Sequence, residues 1–387
     1  MENMGKRFCR SLLVLALATG LTACSMFSSD DEEVRTPRAL KDIETKVELA
    51  RVWSKGIGKG VGDSYERLVP SVSGDTIYAA GAEGTIMALE AQTGKELWKK
   101  KLDIEVGGGV NAAAGMILLG TLDGRVFALS QEDGAKLWSA RVSSEVISSP
   151  QTNGSTVIVQ TIDDTVTALN ARTGEQRWRQ ENLQPSLTLR GSSSPLIERD
   201  AVFAGFSSGE ARAYRLQDGT PLWASKVAVP KGTSELERMV DINASPLIAE
   251  DQVFMVSFQG NAVAMDLYSG RVRWSRELSS YKSMAEGFGS LYLSDEDSYV
   301  SSVDQRTGAV SWRQDQLEYR LVSAPATFSS YVVVGDLDGY VHLMSQVDGG
   351  LVGRFKTDSA IKAQPIVSGD LLYVLGANGE LTALKQK

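Results

Sequence analysis

Short runs of alternating apolar and polar residues recur along most of the chain, each bounded by glycine or aspartate. The first two runs, 76–80 and 85–89, are joined through Gly84. Alternation with a period of two predicts strands, and the short glycine-containing link predicts a hairpin. Further copies of the first run lie at 116–121, 157–161, 201–206, 252–258, 290–293, 331–335 and 371–375. The pattern therefore predicts an all-β protein made of repeated hairpins.

Tryptophan marks the end of nearly every copy. Six of the seven tryptophans follow a glycine by four residues, as Trp98 follows Gly94, and unrelated core residues would not keep that distance. The tryptophan strand is expected to fill the space between neighbouring repeats, and the glycine to allow a positive φ in the turn before it. A seventh copy has Gly349 followed by Phe355, with the aromatic residue displaced by two positions. The predicted structural tryptophans are Trp53, Trp98, Trp138, Trp178, Trp223, Trp274 and Trp312.

The copies number eight between residues 47 and 387, at about 42 residues each, which is the period of a β-propeller with four strands per blade. The last copy, 365–387, ends before a tryptophan strand of its own, whereas the strand 48–53 precedes the first complete copy. Together they make one blade, so the N-terminal strand is expected to complete the last sheet and close the ring. Seven blades would leave one of these fragments without a sheet.

The N-terminal residues have the layout of a bacterial lipoprotein signal. Lys6 and Arg7 precede an apolar run at 12–21 that is too short to span a bilayer, and small residues then lead to Cys24. We expect residues 1–23 to be cleaved, Cys24 to be lipidated, and residues 24–46 to form a flexible tether before the propeller at 47–387. Ser25 rather than aspartate follows the cysteine, which favours the periplasmic face of the outer membrane.

Composition excludes several classes of function. The net charge of the chain is −8, and the predicted cleavage removes three basic residues and one acidic residue, making it more negative by two. Such an acidic chain is a poor candidate for nucleic-acid binding. Cys9 leaves with the signal and Cys24 would carry lipid, so neither a disulfide nor a cysteine nucleophile is expected.

Candidate catalytic groups are sparse. His342 is the only histidine and occupies a strand position, which predicts an ordinary sheet residue and no histidine-based triad or metal site. Acidic pairs such as Asp163-Asp164 and the run 295–297 fall in hairpin turns, where solvated turn residues are expected. Neither a catalytic residue nor a metal site is predicted.

The turns of the form Ala-x-x-Gly-x-x-x-Trp resemble the quinoprotein-type propeller repeat over nearly all of 47–387. Enzymes of that class bind pyrroloquinoline quinone with calcium on the propeller axis, often beside a vicinal disulfide. This chain lacks the cysteine pair and the long insertions of those larger enzymes. The resemblance is therefore interpreted as the scaffold without its cofactor.

Two connections between repeats are longer than closure needs, one between Trp178 and Pro195 and one between Trp223 and Pro246. They belong to consecutive repeats, so they are expected to emerge side by side on one face. The first holds Leu-Thr-Leu-Arg-Gly at 187–191, and the second an acidic stretch that includes 235–243. Apolar residues and arginine beside acidic residues predict a protein-binding surface. Packing of the leucines beneath their own loop is the open alternative.

From the signal to the final blade, the chain resembles the propeller lipoproteins of the outer-membrane β-barrel assembly machinery, the BAM complex. The features that carry the resemblance are the lipoprotein start, the eight repeats and the Leu-x-Leu-Arg-Gly loop followed by an acidic segment. The resemblance implies a non-enzymatic scaffold that binds the POTRA domains of the barrel subunit BamA. It also implies help for unfolded outer-membrane proteins on their way to insertion.

The same resemblance implies which residues bind the partner. The positions that match are Leu187, Leu189, Arg190 and Asp241, and Asn243 stands where an acidic residue is expected. Client strands adding to the outer edges of the blades form a further hypothesis. A quinoprotein-like periplasmic enzyme and a generic protein-binding propeller of the envelope remain alternatives.

Overall fold

A computed structural model describes residues 35–62, 64 and 68–387. The chain divides into a short unit, Met1–Thr36, and a large unit, Pro37–Lys387. Of the short unit only residues 35 and 36 are described, and they have no regular secondary structure. The predicted signal peptide and the predicted lipidation site, Cys24, lie outside the described residues.

The large unit consists of short strands joined by turns and loops. In chain order the strands of the described residues are β1 (Leu49–Gly56), β2 (Ser71–Ser73), β3 (Thr76–Ala80), β4 (Thr85–Glu90), β5 (Glu96–Lys101), β6 (Asn111–Ala113), β7 (Met116–Gly120), β8 (Arg125–Ser130), β9 (Lys136–Arg141), β10 (Gln151–Thr152), β11 (Thr156–Gln160), β12 (Val166–Asn170), β13 (Gln176–Gln180), β14 (Leu196–Glu198), β15 (Ala201–Gly205), β16 (Glu210–Arg215), β17 (Pro221–Lys226), β18 (Leu247–Ala249), β19 (Gln252–Val256), β20 (Asn261–Asp266), β21 (Val272–Glu277), β22 (Ala285–Gly287), β23 (Ser290–Ser294), β24 (Val300–Asp304), β25 (Val310–Gln314), β26 (Ala326–Phe328), β27 (Tyr331–Gly335), β28 (Tyr340–Ser345), β29 (Leu351–Lys356), β30 (Ile366–Ser368), β31 (Leu371–Leu375) and β32 (Glu380–Gln386).

These strands form eight four-stranded antiparallel sheets, the blades of an eight-bladed β-propeller, as the repeat predicts. Blade 1 has the order β2-β3-β4-β5, and blades 2 to 7 repeat it with the next four strands in turn. The two middle strands of each blade are almost entirely buried, because both faces of every sheet pack against neighbouring blades. In six blades a proline immediately precedes the first, short strand, where no ladder hydrogen bond is lost.

Blade 8 closes the ring with strands from both ends of the propeller. Its order is β1-β32-β31-β30, so the N-terminal strand completes the C-terminal sheet. The register runs antiparallel from Leu49 opposite Gln386 to Gly56 opposite Glu380. The prediction that the fragments at the two ends form one blade is confirmed. Among the described residues, no helix is long and apolar enough to cross a membrane.

Each tryptophan joins its own blade to the next one. The indole of Trp138 lies on Gly174 in the turn of blade 3, where an added Cβ would stand 2.7 Å from the ring. Its Nε1 donates a hydrogen bond of 2.7 Å to the carbonyl of Ala171, three residues before that glycine. The other six tryptophans make the same pair of contacts. Each of the seven tryptophans therefore bridges two neighbouring blades.

The interface between blades 7 and 8 differs from the other seven. Pairing of Leu343 with Gly353 places Gly353, not Phe355, at the position that tryptophan occupies elsewhere. Blade 8 has no turn to receive an indole, because its neighbouring strands β32 and β1 come from opposite ends of the chain and no turn joins them. The backbone of Val47 fills the space instead, and an added Cβ on Gly353 would lie 2.4 Å from its carbonyl oxygen.

Residues 37–46 differ from the flexible tether that the composition predicts. The amide of Arg38 donates to the carbonyl of Glu318 at 2.9 Å, and its guanidinium pairs with the Glu318 carboxylate. Leu40 packs against the core of blades 6 and 7, and the buried Arg320 donates to the carbonyl of Arg38 at 3.1 Å. This segment lies against the propeller because its backbone carbonyls satisfy arginine donors that burial would otherwise leave unpaired.

Candidate partner-binding site

Two long connections lie in consecutive blades. Residues 181–195 join β13 to β14, and residues 227–246 join β17 to β18. Both emerge on the side of the ring that carries the middle turn of each blade, and the amide of Ile242 donates to the carbonyl of Phe206 in one such turn. These two connections, called here the leucine loop (181–195) and the acidic loop (227–246), lie side by side as predicted.

The two loops are held to each other at two points. The amide of Leu189 donates to Oδ1 of Asp241 at 2.9 Å. Gly191 packs on the side chain of Asn243, and a Cβ added there would meet the Asn243 amide nitrogen at 2.3 Å. Glycine is needed at 191 for this close approach, and the contact fixes the position of the leucine loop on the acidic loop.

The five predicted binding residues separate into an exposed and an internal group. Leu187 is 42% exposed, and Arg190 is also exposed. Leu189 and Asn243 are half-buried, whereas Asp241 is completely buried. A partner could reach Leu187 and Arg190 directly, but Asp241 faces the interior in this structure.

The acidic surface predicted beside the leucines is smaller than the sequence indicates. Residues 239–242 are buried, so the exposed acidic side chains of this stretch are Glu235 and Glu237. The Glu237 carboxylate accepts hydrogen bonds from the amides of Ser234 and Thr233, which hold its pKa below the ordinary value. The Glu237 carboxylate therefore stabilises its own turn, and the side chain of the nearby Glu235 is exposed.

Arg190 is oriented by a contact with the preceding connection. Its guanidinium pairs with the carboxylate of Glu145, which lies between blades 2 and 3. The Arg190 side chain remains 49% exposed, and ion pairs at such exposure contribute little to folding. The pair therefore holds the guanidinium at the surface in a defined direction while leaving it able to bind an acceptor on a partner.

Three exposed aliphatic residues of the same loops were not singled out from the sequence. Leu183 in the leucine loop is 91% exposed, and Val229 and Leu236 in the acidic loop are 54% and 61% exposed. Single apolar residues on a surface are ordinary, but several on two packed loops are typical of a binding site. Their occurrence in connections longer than closure needs was the signal that could have identified them.

Two buried carboxyl groups lie beneath the loops. Asp164, in the middle turn of blade 3, accepts hydrogen bonds from the amide and hydroxyl of Ser207 in the next blade. Asp164 is only 4% exposed, so the prediction of a solvated turn residue is wrong for it. Burial raises the pKa of Asp164 to about 6 and that of Asp241 to about 7. The charged Asp164 contributes to the second of these shifts.

His342 belongs to a buried ionic network in blade 7. Its Nδ1 accepts from Arg354 at 3.2 Å, so its Nε2 carries the proton and donates to Asp336 at 2.9 Å. Asp336 also accepts from Arg320. Burial lowers the pKa of His342. Burial by itself would raise the pKa of Asp336, but the hydrogen bonds from His342, Tyr340 and Arg320 outweigh it and hold that pKa below its ordinary value. The histidine is fully buried, which fits a role in the fold rather than in chemistry.

The remaining acidic turns also have structural partners. Asp295 accepts from the amide of Tyr299 at 2.8 Å and pairs with Arg313 at 3.1 Å. Within the described ranges, no group of three or more histidine, cysteine, aspartate and glutamate side chains is placed to hold a metal ion.

Comparison with known proteins gives consistent matches over the propeller and beyond. A family model described as outer membrane protein assembly factor BamB matches residues 48–117, 82–314 and 296–387. The outer membrane protein assembly factor BamB of Pseudomonas aeruginosa is 55% identical over 371 residues, which cover 96% of this chain and 97% of the relative.

Solved structures give the same picture at the level of the fold. The crystal structure of BamB from Moraxella catarrhalis matches with a TM-score of 0.80 at 26% identity, over 87% of this chain and 99% of that one. Quinohemoprotein alcohol dehydrogenase from Comamonas testosteroni matches with a TM-score of 0.70 at 14% identity, over 87% and 76% of the two chains. At that identity the likeness to the dehydrogenase is one of fold alone.

Proposed function

This chain belongs to the family of the outer membrane protein assembly factor BamB, and on that premise we propose that it is a non-enzymatic scaffold of the outer-membrane β-barrel assembly machinery. In this role it binds the periplasmic POTRA domains of the barrel subunit BamA and assists the folding and insertion of β-barrel proteins. The description of its relatives as assembly factors supports the general role. The choice of partner depends on the two packed loops.

The observation that carries the proposal is an exposed leucine and an exposed arginine on loops that are already fixed to each other. Leu187 and Arg190 project from the leucine loop, whose backbone is held by Asp241 and by the packing of Gly191. A loop ordered before binding loses less conformational entropy when the partner docks. Arginine and large apolar side chains on such a surface supply most of the binding energy in typical interfaces.

Lipid anchoring at the outer membrane is the second part of the proposal. Cleavage before Cys24 would leave this residue to carry the acyl chains, and two or more chains give stable anchoring. Cys24→Ala should remove the protein from the outer-membrane fraction. A variant that stays with the outer membrane after a high-salt wash would contradict the anchor.

Clients could contact the outermost strand of each blade. These strands end their sheets, so one edge of their backbone has no neighbouring strand within the blade. Leu97 on β5 and Leu137 on β9 are 52% and 51% exposed along this rim. A photoreactive residue at either position should capture unfolded outer-membrane protein during assembly. Absence of such cross-links at both positions would rule out strand addition on these blades.

An enzyme of the quinoprotein kind is the main alternative. Its fold is shared, but the described residues offer no cluster of carboxylates that would hold the calcium ion of such a site. Pyrroloquinoline quinone and Ca²⁺ added to the purified protein should leave the difference spectrum of the quinone unchanged. A saturable change would favour the alternative.

The decisive experiment is co-purification with BamA from membranes. Leu187→Ala combined with Arg190→Ala should reduce the recovery of BamA at least tenfold, while circular dichroism and the thermal midpoint stay unchanged. A matched control is Leu222→Ala combined with Arg215→Ala, which alters an exposed leucine and an exposed arginine of blade 4 outside both loops. Undiminished recovery with the first variant, or equal loss with both, would refute the proposed docking surface.

A further inference from the structure

Asp164 and Asp241 are both buried beneath the two loops, and they are near enough for the charge of Asp164 to raise the pKa of Asp241. Asp241 holds the leucine loop through Oδ1, which accepts the amide of Leu189 at 2.9 Å, while its buried Oδ2 has no hydrogen-bond partner. A buried carboxylate with one free oxygen is costly when charged, and much less so when neutral.

We propose that Asp164 and Asp241 are positioning residues for partner binding, acting as one carboxyl pair that retains a proton while the two loops are closed. Loss of that proton places two negative charges in the same buried region and favours an open loop in which Asp241 is hydrated. The inference rests on the proposed function, because the loop that Asp241 holds is the one proposed to dock. Asp241 then acts on the partner through Leu189 and not by direct contact.

The charged groups packed around the pair do not neutralise it. Of the guanidinium groups on neighbouring elements, Arg190 is turned to Glu145 and Arg212 to Glu210. The other charged residues of the acidic loop are exposed to solvent. Asp163, beside Asp164, adds further negative charge. The pair therefore relieves repulsion by binding a proton and not by forming an ion pair.

The sign of the pH dependence follows from burial. Burial raises the pKa of Asp241 to about 7 and that of Asp164 to about 6, from ordinary values near 3.8. An acid whose pKa is raised in the closed state stabilises that state less as pH rises, because the open state gives up its proton first. The closed loop is therefore most favoured below the ordinary pKa near 3.8. It is weakened progressively as pH rises from there, until both carboxyl groups have lost their protons above about pH 7.

The first test is the affinity of purified BamA POTRA domains for the full-length protein in detergent, between pH 5.5 and 8.5. Wild-type affinity should fall at least threefold between pH 6 and pH 8. Asp241→Asn keeps an oxygen acceptor for Leu189 without a charge, so its affinity should equal the wild-type value at pH 6 and stay constant. Asp241→Ala should bind at least tenfold more weakly at every pH. Asp164→Asn should flatten the profile while retaining binding.

The second test needs no partner. In protein labelled with ¹⁵N-leucine, the Leu189 amide resonance, identified by its loss in Leu189→Ile, should titrate between pH 6 and 7 in wild type and not in Asp241→Asn. A wild-type affinity independent of pH, or an Asp241→Asn variant as weak as Asp241→Ala, would overturn the proton-dependent pair. A titrating Leu189 amide without POTRA binding at any pH would support the pair and refute the docking function on which its role depends.

Discussion

The indole of Trp53 lies flat on Gly94 of the neighbouring blade, so that a Cβ on this glycine would stand 2.6 Å from the ring. The indole nitrogen donates at 2.9 Å to the carbonyl of Ala91 in the same turn. Gly94 has a φ of 70°, which suits glycine, and its missing side chain also makes room for the tryptophan. The same relationship recurs at seven of the eight blade interfaces and joins each blade to the next.

Substitution of Gly94 by alanine should destabilise the propeller through contact with Trp53 and not only through backbone strain. Gly74→Ala is the matched control, because Gly74 also has a positive φ but would place its Cβ in open space. We expect the control to lose about 1–2 kcal/mol of unfolding free energy, from the left-handed backbone conformation alone. Gly94→Ala should lose about 1–3 kcal/mol more from overpacking. Equal urea midpoints for the two variants would show that the tryptophan contact contributes nothing.

A tryptophan introduced at the one interface that lacks it should weaken closure. Gly353→Trp would place an indole where the backbone of Val47 lies, and blade 8 has no turn to accept it. The segment before β1 should detach, so limited proteolysis should cut within 37–47 at least tenfold faster than in wild type. Gly56→Ala, at a glycine of β1 with open space around it, serves as the control and should leave the rate unchanged.

The contact between Gly191 and Asn243 should be required for partner binding but not for folding. In Gly191→Ala the new methyl group would overlap the Asn243 side chain and push the leucine loop off the acidic loop. We expect BamA POTRA affinity to fall about tenfold, equivalent to about 1.4 kcal/mol, with an unchanged thermal midpoint. The double variant Gly191→Ala with Asn243→Ala should recover part of the affinity. No recovery would show that Asn243 itself contacts the partner.

The buried network of blade 7 should make a large contribution to stability. Asp336→Asn removes the charge that faces both His342 and Arg320, so that the half-exposed Asp338 is the remaining carboxylate paired with the Arg320 guanidinium. Loss of one partner from a buried ion pair should lower the free energy of unfolding by about 3 kcal/mol. Asp338→Asn, which alters a carboxylate that is 50% exposed, should cost less than about 1 kcal/mol. Similar urea midpoints for the two variants would contradict this assignment.

The pH dependence of the same network follows from the lowered pKa values of Asp336 and His342. The contribution of Asp336 is present at neutral pH and is lost as pH falls below its ordinary pKa, while acid also forces a charge onto the buried histidine. Acidification should therefore lower the urea midpoint of wild type between pH 6.5 and 4 more than that of His342→Gln. The Asp164 and Asp241 pair acts in the opposite direction, but it is present in both proteins and cancels in the comparison.

The repeat, the number of blades, the closure of the ring and the place of the long loops could be predicted from the amino-acid sequence. These features follow from local chemistry: alternation predicts strands, glycine marks turns, and the missing tryptophan strand of the last repeat matches the surplus strand of the first. The loop that carries Leu187 and Arg190 was likewise singled out by its length and composition, with packing of its leucines beneath the loop left open. The strands and turns need only residues that are close together along the chain, and the closure follows from comparing the repeats with one another.

Which loop residues are internal, and what they contact, could be learned only from the folded structure. Asp241 accepts a hydrogen bond from the amide of Leu189, which lies 52 positions away in the sequence, and Asp164 accepts one from Ser207, which lies 43 positions away. Neither contact therefore has a local signature in the sequence. The contacts of Arg38 with Glu318 and of the Val47 backbone with Gly353 also join residues that are far apart in the sequence. Because of them the segment before β1 is packed against the propeller, where the composition predicts a flexible tether. Whether a residue is buried depends on which distant elements contact it. In a propeller those contacts are set by the arrangement of all the blades in the ring, and not by the sequence of a single repeat.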